Sequence, residues 1–158
     1  MPASTSLPFL SPLPFVHDRI GAAAIYCSDG RYGEAMDQFL HDGLGLPHYD
    51  RVAIPGGPAC LAGHLLAMRE RGALDRQLKF LVESHALSRL VLIAHSDCGF
   101  YKHHVHPGKL RQTPLEQLQF ADLAAVAQLL RSAHPGLQVE AHFARRLEQG
   151  IQFDPIPT

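Results

Sequence analysis

The chain has 158 residues, of which 46% are hydrophobic and 18% are charged, and its formal net charge at pH 7 is −1. This composition is typical of a globular protein and excludes a disordered chain. The near-zero charge argues against nucleic acid as a partner, and no apolar run reaches the ~18 residues of a membrane span. Because 3 cysteines do not indicate a disulfide framework, we expect a reduced, cytoplasmic protein.

A proline-rich segment opens the sequence. Residues 1–18 lack the basic n-region of a secretory signal, and their prolines are Pro2, Pro8, Pro12 and Pro14. Such a segment predicts an extended arm that either lies on a neighbouring subunit or is mobile. Residues 19–158 show no internal repeat and no second domain, so we expect a single domain there.

Short apolar runs alternate with helical patterns in the next part of the chain. The runs end in turn residues and fit buried parallel strands; they are RIGAAAIYC (19–27), YDRVAIPGG (49–57) and RLVLIAH (89–95). Apolar residues recur with helical spacing in the segments 34–45, 59–71 and 73–88. This alternation predicts an α/β domain with a mainly parallel central sheet flanked by helices.

The last third of the chain predicts one more helix and a hairpin. Thr113, Pro114 and Glu116 fit the N-cap, N1 and N3 positions of a capping box, and the helix should run to about Ser132. The tail alternates in hydrophobicity and turns near Gly150, which predicts a C-terminal strand and hairpin.

Residues that can bind a metal directly follow two of the predicted strands. Cys27 ends the first apolar run, and His95 and Cys98 come at the end of the third. In a doubly wound sheet these two strands are neighbours and ligands bind at their carboxyl ends, so the fold brings the three side chains together. Two thiolates and one imidazole match Zn²⁺ with an open coordination position. We therefore predict that residues 19–158 form a zinc-binding domain.

Asp29 and Arg31 follow Cys27 at alternate positions. In an extended segment alternate residues share a side, so the Arg31 guanidinium can hold the Asp29 carboxylate as a bidentate pair. That pair would keep the carboxylate from binding the metal and would direct it toward an oxygen bound at the open coordination position. Asp29 and Arg31 are therefore the candidate catalytic residues. Without the cysteine beside them, an exposed ion pair worth at most ~1 kcal/mol would be the simpler interpretation.

Both motifs resemble those of a known family. CSDGR (27–31) looks like the Cys-x-Asp-x-Arg signature of the β-class carbonic anhydrases, and HSDCG (95–99) is similar to their His-x-x-Cys-Gly motif. The order of predicted elements agrees with that family over most of the chain. The resemblance implies a zinc lyase that hydrates carbon dioxide, a small-molecule substrate, to bicarbonate with a metal-bound hydroxide. It also implies a homodimer or higher homo-oligomer.

Two departures from the family pattern lie around the expected pocket. AIPGGPACL (53–61) replaces an asparagine-containing stretch, and Phe100 stands where a further glycine is common. They leave two alternatives open. The same zinc site would hydrolyse carbon disulfide or carbonyl sulfide, or the protein would bind zinc without catalysis.

Additional histidines follow the second motif. Tyr101, His103, His104 and His106 are candidates for proton relay, and the alternatives are a solvated polar loop or, for the three histidines, a second metal site. Cys60 is expected to fill the core, and the sequence assigns no role to His64.

Overall fold

The computed structural model describes residues 7–158 as an α/β domain built on one sheet of five strands. The strands are β1 (Ala22–Cys27), β2 (Asp50–Ile54), β3 (Arg89–His95), β4 (Gln138–Leu147) and β5 (Gly150–Ile156). They lie in the order β2-β1-β3-β4-β5, and only β4 and β5 pair antiparallel. The predicted mainly parallel sheet and the C-terminal hairpin are confirmed.

Helices cover both faces of the sheet. The α-helices are α1 (Gly33–Gln38), α2 (Met68–Ser84), α3 (Gly99–His104), α4 (Pro107–Gln112) and α5 (Leu115–Ala133). Along β1, Ile25 and Cys27 face the core that contains α2 and α5, whereas Ala24 and Tyr26 face Met36 of α1. Because the central strands are buried on both faces, their sequences are almost continuously apolar.

The segment predicted as a helix over residues 59–71 differs in the structure. It forms two 3₁₀ turns, Gly57–Leu61 and Leu65–Ala67, and α2 begins only at Met68. Gly63 lies between these turns with a φ of +80°, a left-handed conformation that interrupts a helix and that glycine adopts without strain. Ala59, Cys60 and Leu61 of the first turn are buried, whereas Leu65 and Leu66 of the second are exposed, so the apolar spacing here does not mark one face of a helix.

The capping box predicted at Thr113 is not formed. Thr113 is extended, with φ −129° and ψ 128°, and α5 begins at Leu115 without a side-chain cap. Pro114 has a ψ of 139°, outside the helical range, so it takes the N-cap position itself and the helix begins one residue later than predicted. Its side chain has no oxygen that could accept a capping hydrogen bond.

The described part of the predicted arm has no regular secondary structure from residue 7 to residue 18. Its large apolar side chains are 79–91% exposed, namely Leu7, Phe9, Leu10, Leu13 and Phe15. Residues 1–6 of the predicted arm lie outside the described residues, and the boundary between arm and domain at residue 18 stays a prediction. No helix in the described range is both long and apolar enough to cross a membrane.

Candidate metal centre

The centre lies where β1 and β3 end. These two strands pair in parallel, so their carboxyl ends meet at one edge of the sheet, as the fold prediction required. Cys27 is the last residue of β1, His95 is the last residue of β3, and Cys98 follows in the turn before α3. Their donor atoms all lie within 4.8 Å of one another, and all three residues are buried. Within residues 7–158 no other group of three such side chains meets this distance.

The two sulfurs form a polarised pair. The hydrogen bond between the Cys98 thiol and the Cys27 sulfur lowers the pKa of Cys27 and raises that of Cys98, and burial raises the pKa of Cys98 further. The backbone N–H of Gly56 also donates to Cys27 Sγ at 3.3 Å. A cation between the sulfurs would favour both thiolates, because metal ligands bind deprotonated.

His95 is held in the orientation that a metal ligand needs. Its Nδ1 donates to the Ser96 carbonyl at 2.8 Å, which leaves Nε2 as the nitrogen with a free lone pair. Nε2 is buried and has no hydrogen-bond partner. The Gln119 amide donates to the His95 carbonyl at 2.9 Å and so fixes its backbone. A buried nitrogen without a partner, beside two sulfurs, fits a soft or borderline cation.

Tyr32 packs directly against this histidine. The two ring centroids are 4.3 Å apart, and the Tyr32 hydroxyl donates to the Ser96 carbonyl at 3.1 Å. The Ser96 carbonyl thus accepts hydrogen bonds from both Tyr32 and His95. Burial raises the pKa of Tyr32, so its hydroxyl stays protonated and continues to donate. Tyr32 therefore ties the loop after β1 to the loop after β3.

Asp29 and Arg31 form the bidentate pair expected from their spacing. Arg31 Nε lies 2.9 Å from Asp29 Oδ1, Arg31 Nη2 lies 2.5 Å from Oδ2, and the Arg31 backbone N–H donates to Oδ1 at 3.1 Å. The guanidinium is the main reason that the pKa of Asp29 is lowered to about 2. The carboxylate is not one of the three groups that lie within 4.8 Å of one another. The catalytic role of this pair stays a prediction.

An apolar cavity of about 300 Å³ is lined by Phe100 and the end of β2, and none of the three donor residues of the centre lines it. Its lining residues are Ile54, Pro55, Cys60, Glu70, Ala73, Leu74, Gln77, Phe100 and His104. The Phe100 ring lies so close to Gly56 that a Cβ there would be 2.4 Å from it, and the Gly56 N–H contacts Cys27. Phe100 therefore lines this cavity and also packs against the residue that donates to Cys27 Sγ.

The other residues considered for chemistry from the sequence do not come together in one site. His104 stacks on Phe100 with 4.2 Å between centroids, and His106 Nδ1 accepts from the Gly108 N–H at 3.0 Å. These histidines and His103 do not form a metal-type group in the described chain. Cys60 donates to the Pro55 carbonyl at 3.3 Å, and burial raises its pKa to about 12. Its expected place in the core is confirmed.

Sequence reasoning missed Tyr32 and Gln119 as partners of His95. The signal available for Tyr32 was its position directly after the Cys-x-Asp-x-Arg motif, in the loop that joins β1 to α1. Gln119 lies on α5, 24 residues from His95, and no local pattern indicates that contact.

The fold and the donor set together define an α/β protein that presents Cys, His and Cys at adjacent ends of parallel strands. A family model described as "Putative carbonic anhydrase" matches residues 18–150, and the chain belongs to this family. The resemblance to the β-class carbonic anhydrases is thereby confirmed. None of the curated proteins matches the sequence.

Solved structures of β-carbonic anhydrases share the fold. One of two tetrameric enzymes from Sordaria macrospora is 16% identical, with a TM-score of 0.57, over 89% of this chain and 82% of the other. Isoform I from Trichomonas vaginalis is 12% identical, with a TM-score of 0.52, over 96% and 87%. The enzyme from Streptococcus mutans is 15% identical, with a TM-score of 0.52, over 88% and 82%.

Proposed function

We propose that this protein holds Zn²⁺ with Cys27, His95 and Cys98 and catalyses the hydration of carbon dioxide to bicarbonate. The observation that carries the proposal is the convergence of these donors within 4.8 Å at the carboxyl ends of β1 and β3. Membership of a carbonic anhydrase family supports it independently.

The donor set suits zinc for chemical reasons. Two thiolates and an imidazole are ligands that Zn²⁺ prefers, and three protein ligands are typical of catalytic rather than structural zinc sites. When bound, the ion supplies an acidified water, with a pKa near 7, and thereby a nucleophile at neutral pH. The cytoplasm, a reducing compartment, would keep both thiols free of disulfides.

Asp29 and Arg31 are proposed to orient the reaction. The Asp29 carboxylate accepts a hydrogen bond from the attacking oxygen and turns its lone pair toward the substrate carbon. Arg31 engages both carboxylate oxygens, at 2.9 and 2.5 Å, which keeps Asp29 from binding the metal itself. The carboxylate then serves as an acceptor of fixed direction.

Phe100, which packs against Gly56 next to Cys27, gives the centre an apolar neighbour and leaves a second candidate substrate class open. Carbon disulfide and carbonyl sulfide are linear, apolar molecules that the same zinc site could hydrolyse. A protein that binds zinc without catalysis has no evident use for the Asp29–Arg31 pair, which argues against that alternative.

We also propose that the protein is a homodimer or a higher homo-oligomer. The Sordaria relatives are described as tetrameric. The exposed apolar side chains of residues 7–15 offer a surface that a second copy could cover.

The test is stopped-flow hydration of carbon dioxide on the purified protein, with its metal content measured on the same sample. We expect about one zinc per chain and hydration that disappears together with zinc in Cys98→Ser. Hydrolysis of carbon disulfide and carbonyl sulfide is measured in parallel. A protein that binds zinc and hydrolyses carbon disulfide or carbonyl sulfide, but does not hydrate carbon dioxide, would favour the second substrate class. A protein that binds zinc and has neither activity would refute the proposed catalysis.

A further inference from the structure

Away from the metal centre, a buried histidine is paired with an aspartate. His64 Nε2 lies 2.7 Å from Asp122 Oδ2, and the Tyr101 hydroxyl donates to the same oxygen at 2.9 Å. The side chain of His64 is 3% exposed and that of Asp122 is 14% exposed. A carboxylate on one ring nitrogen fixes the proton there, so Asp122 holds Nε2–H and leaves Nδ1 as the free nitrogen of His64.

His64 also lines a cavity of about 510 Å³, a volume typical of small-molecule sites. The lining residues are Gly63, His64, Leu65, Leu66, His106, Gly108, Lys109 and Gln112. One wall is apolar, formed by Leu65 and Leu66, and the polar groups of Lys109 and Gln112 belong to α4. None of the lining residues is acidic, and none belongs to the metal centre.

The charge at this cavity depends on the protonation of His64. Lys109 carries one positive charge, and Asp122 behind the histidine carries one negative charge. The three groups therefore sum to zero when His64 is neutral and to +1 when His64 is protonated. An anion in the cavity would favour the protonated form, in which Nδ1 becomes a donor.

Other titratable groups near His64 do not cancel this effect. Burial raises the pKa of Tyr101 well above its ordinary range, so it stays neutral. His106 already uses Nδ1 to accept from the Gly108 N–H. Arg71 of α2, which approaches Gly63, is a further cation and is paired with Asp75 at 3.8 Å.

We propose that this cavity is a second ligand site, which binds a small aliphatic monocarboxylate with uptake of one proton. The carboxylate accepts hydrogen bonds from Lys109, Gln112 and protonated His64, and the alkyl part lies on Leu65 and Leu66. Lys109 is the one fixed cation among the lining residues, which matches a monoanion better than a dianion. The apolar wall distinguishes a carboxylate with an alkyl tail from an inorganic anion.

The proposal is tested by calorimetric titration of the full-length protein with sodium butyrate in two buffers of different ionisation enthalpy. We expect saturable binding at one butyrate per chain, weaker binding of acetate, and a binding enthalpy that differs between the two buffers because a proton is taken up.

Substitutions at the cavity test this site independently of the metal centre. Lys109→Met, at an exposed position where folding should be unaffected, is expected to weaken butyrate at least tenfold, and His64→Gln should abolish the proton uptake. Lys79→Met on α2, which pairs with Glu83 away from the cavity, is the control and should change nothing. Because the readout includes neither zinc nor hydration, its failure is distinct from a failure of the proposed function.

Three results would overturn the proposal. They are the absence of saturable butyrate binding, equal affinity in wild type and Lys109→Met, and proton uptake that persists in His64→Gln. Butyrate bound only at the metal centre would give the second of these results.

Discussion

At the scale of single residues, the metal centre depends on how firmly His95 is oriented. Ligand histidines usually donate their second nitrogen to a fixed acceptor, and the acceptor here is the Ser96 carbonyl, 2.8 Å from Nδ1. Tyr32 holds the same carbonyl and covers one face of the imidazole. Tyr32 thus acts on the metal through His95, as a positioning residue.

Tyr32→Phe should therefore weaken zinc binding more than it weakens the fold. The variant keeps the ring against His95 and loses one hydrogen bond, which costs about 1 kcal/mol of unfolding free energy. We expect roughly tenfold lower zinc affinity in a chelator competition assay, and a shifted absorption spectrum of the cobalt-substituted protein.

Tyr49→Phe is the matched control for this experiment. Tyr49 is also buried and donates to a carboxylate, that of Asp37, but it does not contact the metal centre. It should lose comparable stability and keep zinc affinity. An equal change of zinc affinity in both variants would show that Tyr32 has no specific effect on His95.

Asp29→Ala should retain zinc and lose most of the hydration activity. The reason is that Asp29 is not among the three clustered donors, whereas its carboxylate is aimed by Arg31. The measurement is kcat/KM for carbon dioxide with zinc content determined on the same sample, and Glu83→Ala, on the exposed face of α2, is the control. Full activity in Asp29→Ala would remove Asp29 from the mechanism.

The pH profile follows from the pKa of Asp29, which is lowered to about 2 from an ordinary 3.8. A lowered pKa means that the ionised form favours the folded state above about pH 3.8, and that this contribution is lost as pH falls through about 2. Asp29 therefore stays charged between pH 7 and pH 5. Activity lost in that interval should come from protonation of the zinc-activated water, whose pKa is about 7, or from release of the ion, and not from Asp29. A further loss of activity with a midpoint at about pH 4, the ordinary range of a carboxyl group, would contradict this assignment of Asp29.

At the scale of elements, the centre is predictable because it depends on strand order. The apolar runs of β1 and β3 are unambiguous, and a doubly wound sheet pairs them, so Cys27 and His95 could be brought together from sequence. The pairing of His64 with Asp122 could not be predicted from the sequence, since it joins a 3₁₀ connection to the middle of α5, 58 residues away. The helix predicted over residues 59–71 begins only at Met68, because two 3₁₀ turns joined at Gly63 precede it and apolar spacing alone does not distinguish such turns from a helix.

The connection after β2 packs directly on the end of β1, and Gly57 makes that contact possible. A Cβ on Gly57 would lie 2.6 Å from the Tyr26 carbonyl carbon and 2.8 Å from the Cys27 nitrogen, and φ there is +50°. Gly57→Ala should lower the unfolding free energy by about 3 kcal/mol, from backbone strain and overpacking.

The same substitution should also reduce zinc affinity, because it displaces the backbone of Cys27. Urea denaturation and chelator competition measure the two effects. Gly33→Ala, where a Cβ meets nothing within 4 Å, should leave both unchanged. A Gly57→Ala variant as stable as the wild type would mean that the connection can move away from β1.

At the scale of the whole molecule, the arm is the feature that the folded domain does not explain. Its described side chains make an apolar surface that is mostly open to water, whereas the sheet buries almost all of its own apolar residues. Leaving such side chains in water forgoes roughly 1.5–3 kcal/mol for each large one that a partner would cover. We expect a second copy of the chain to cover these side chains, because it is always present at the same concentration as the first.

Removal of residues 2–17 should therefore reduce the assembly while the domain stays folded. We expect the full-length chain to sediment as a dimer or a larger oligomer in analytical ultracentrifugation, and the truncated chain to shift toward monomer at the same concentration. Circular dichroism and zinc content should be unchanged, because β1 begins at Ala22 and no residue in the described part of the arm belongs to the metal centre. A second variant, Phe9→Ser with Phe15→Ser, removes two exposed apolar side chains without shortening the chain and should shift the same equilibrium. If neither change alters the sedimentation of an oligomeric full-length protein, the subunits associate through the domain alone, with the open edge strand β2 as the next surface to test.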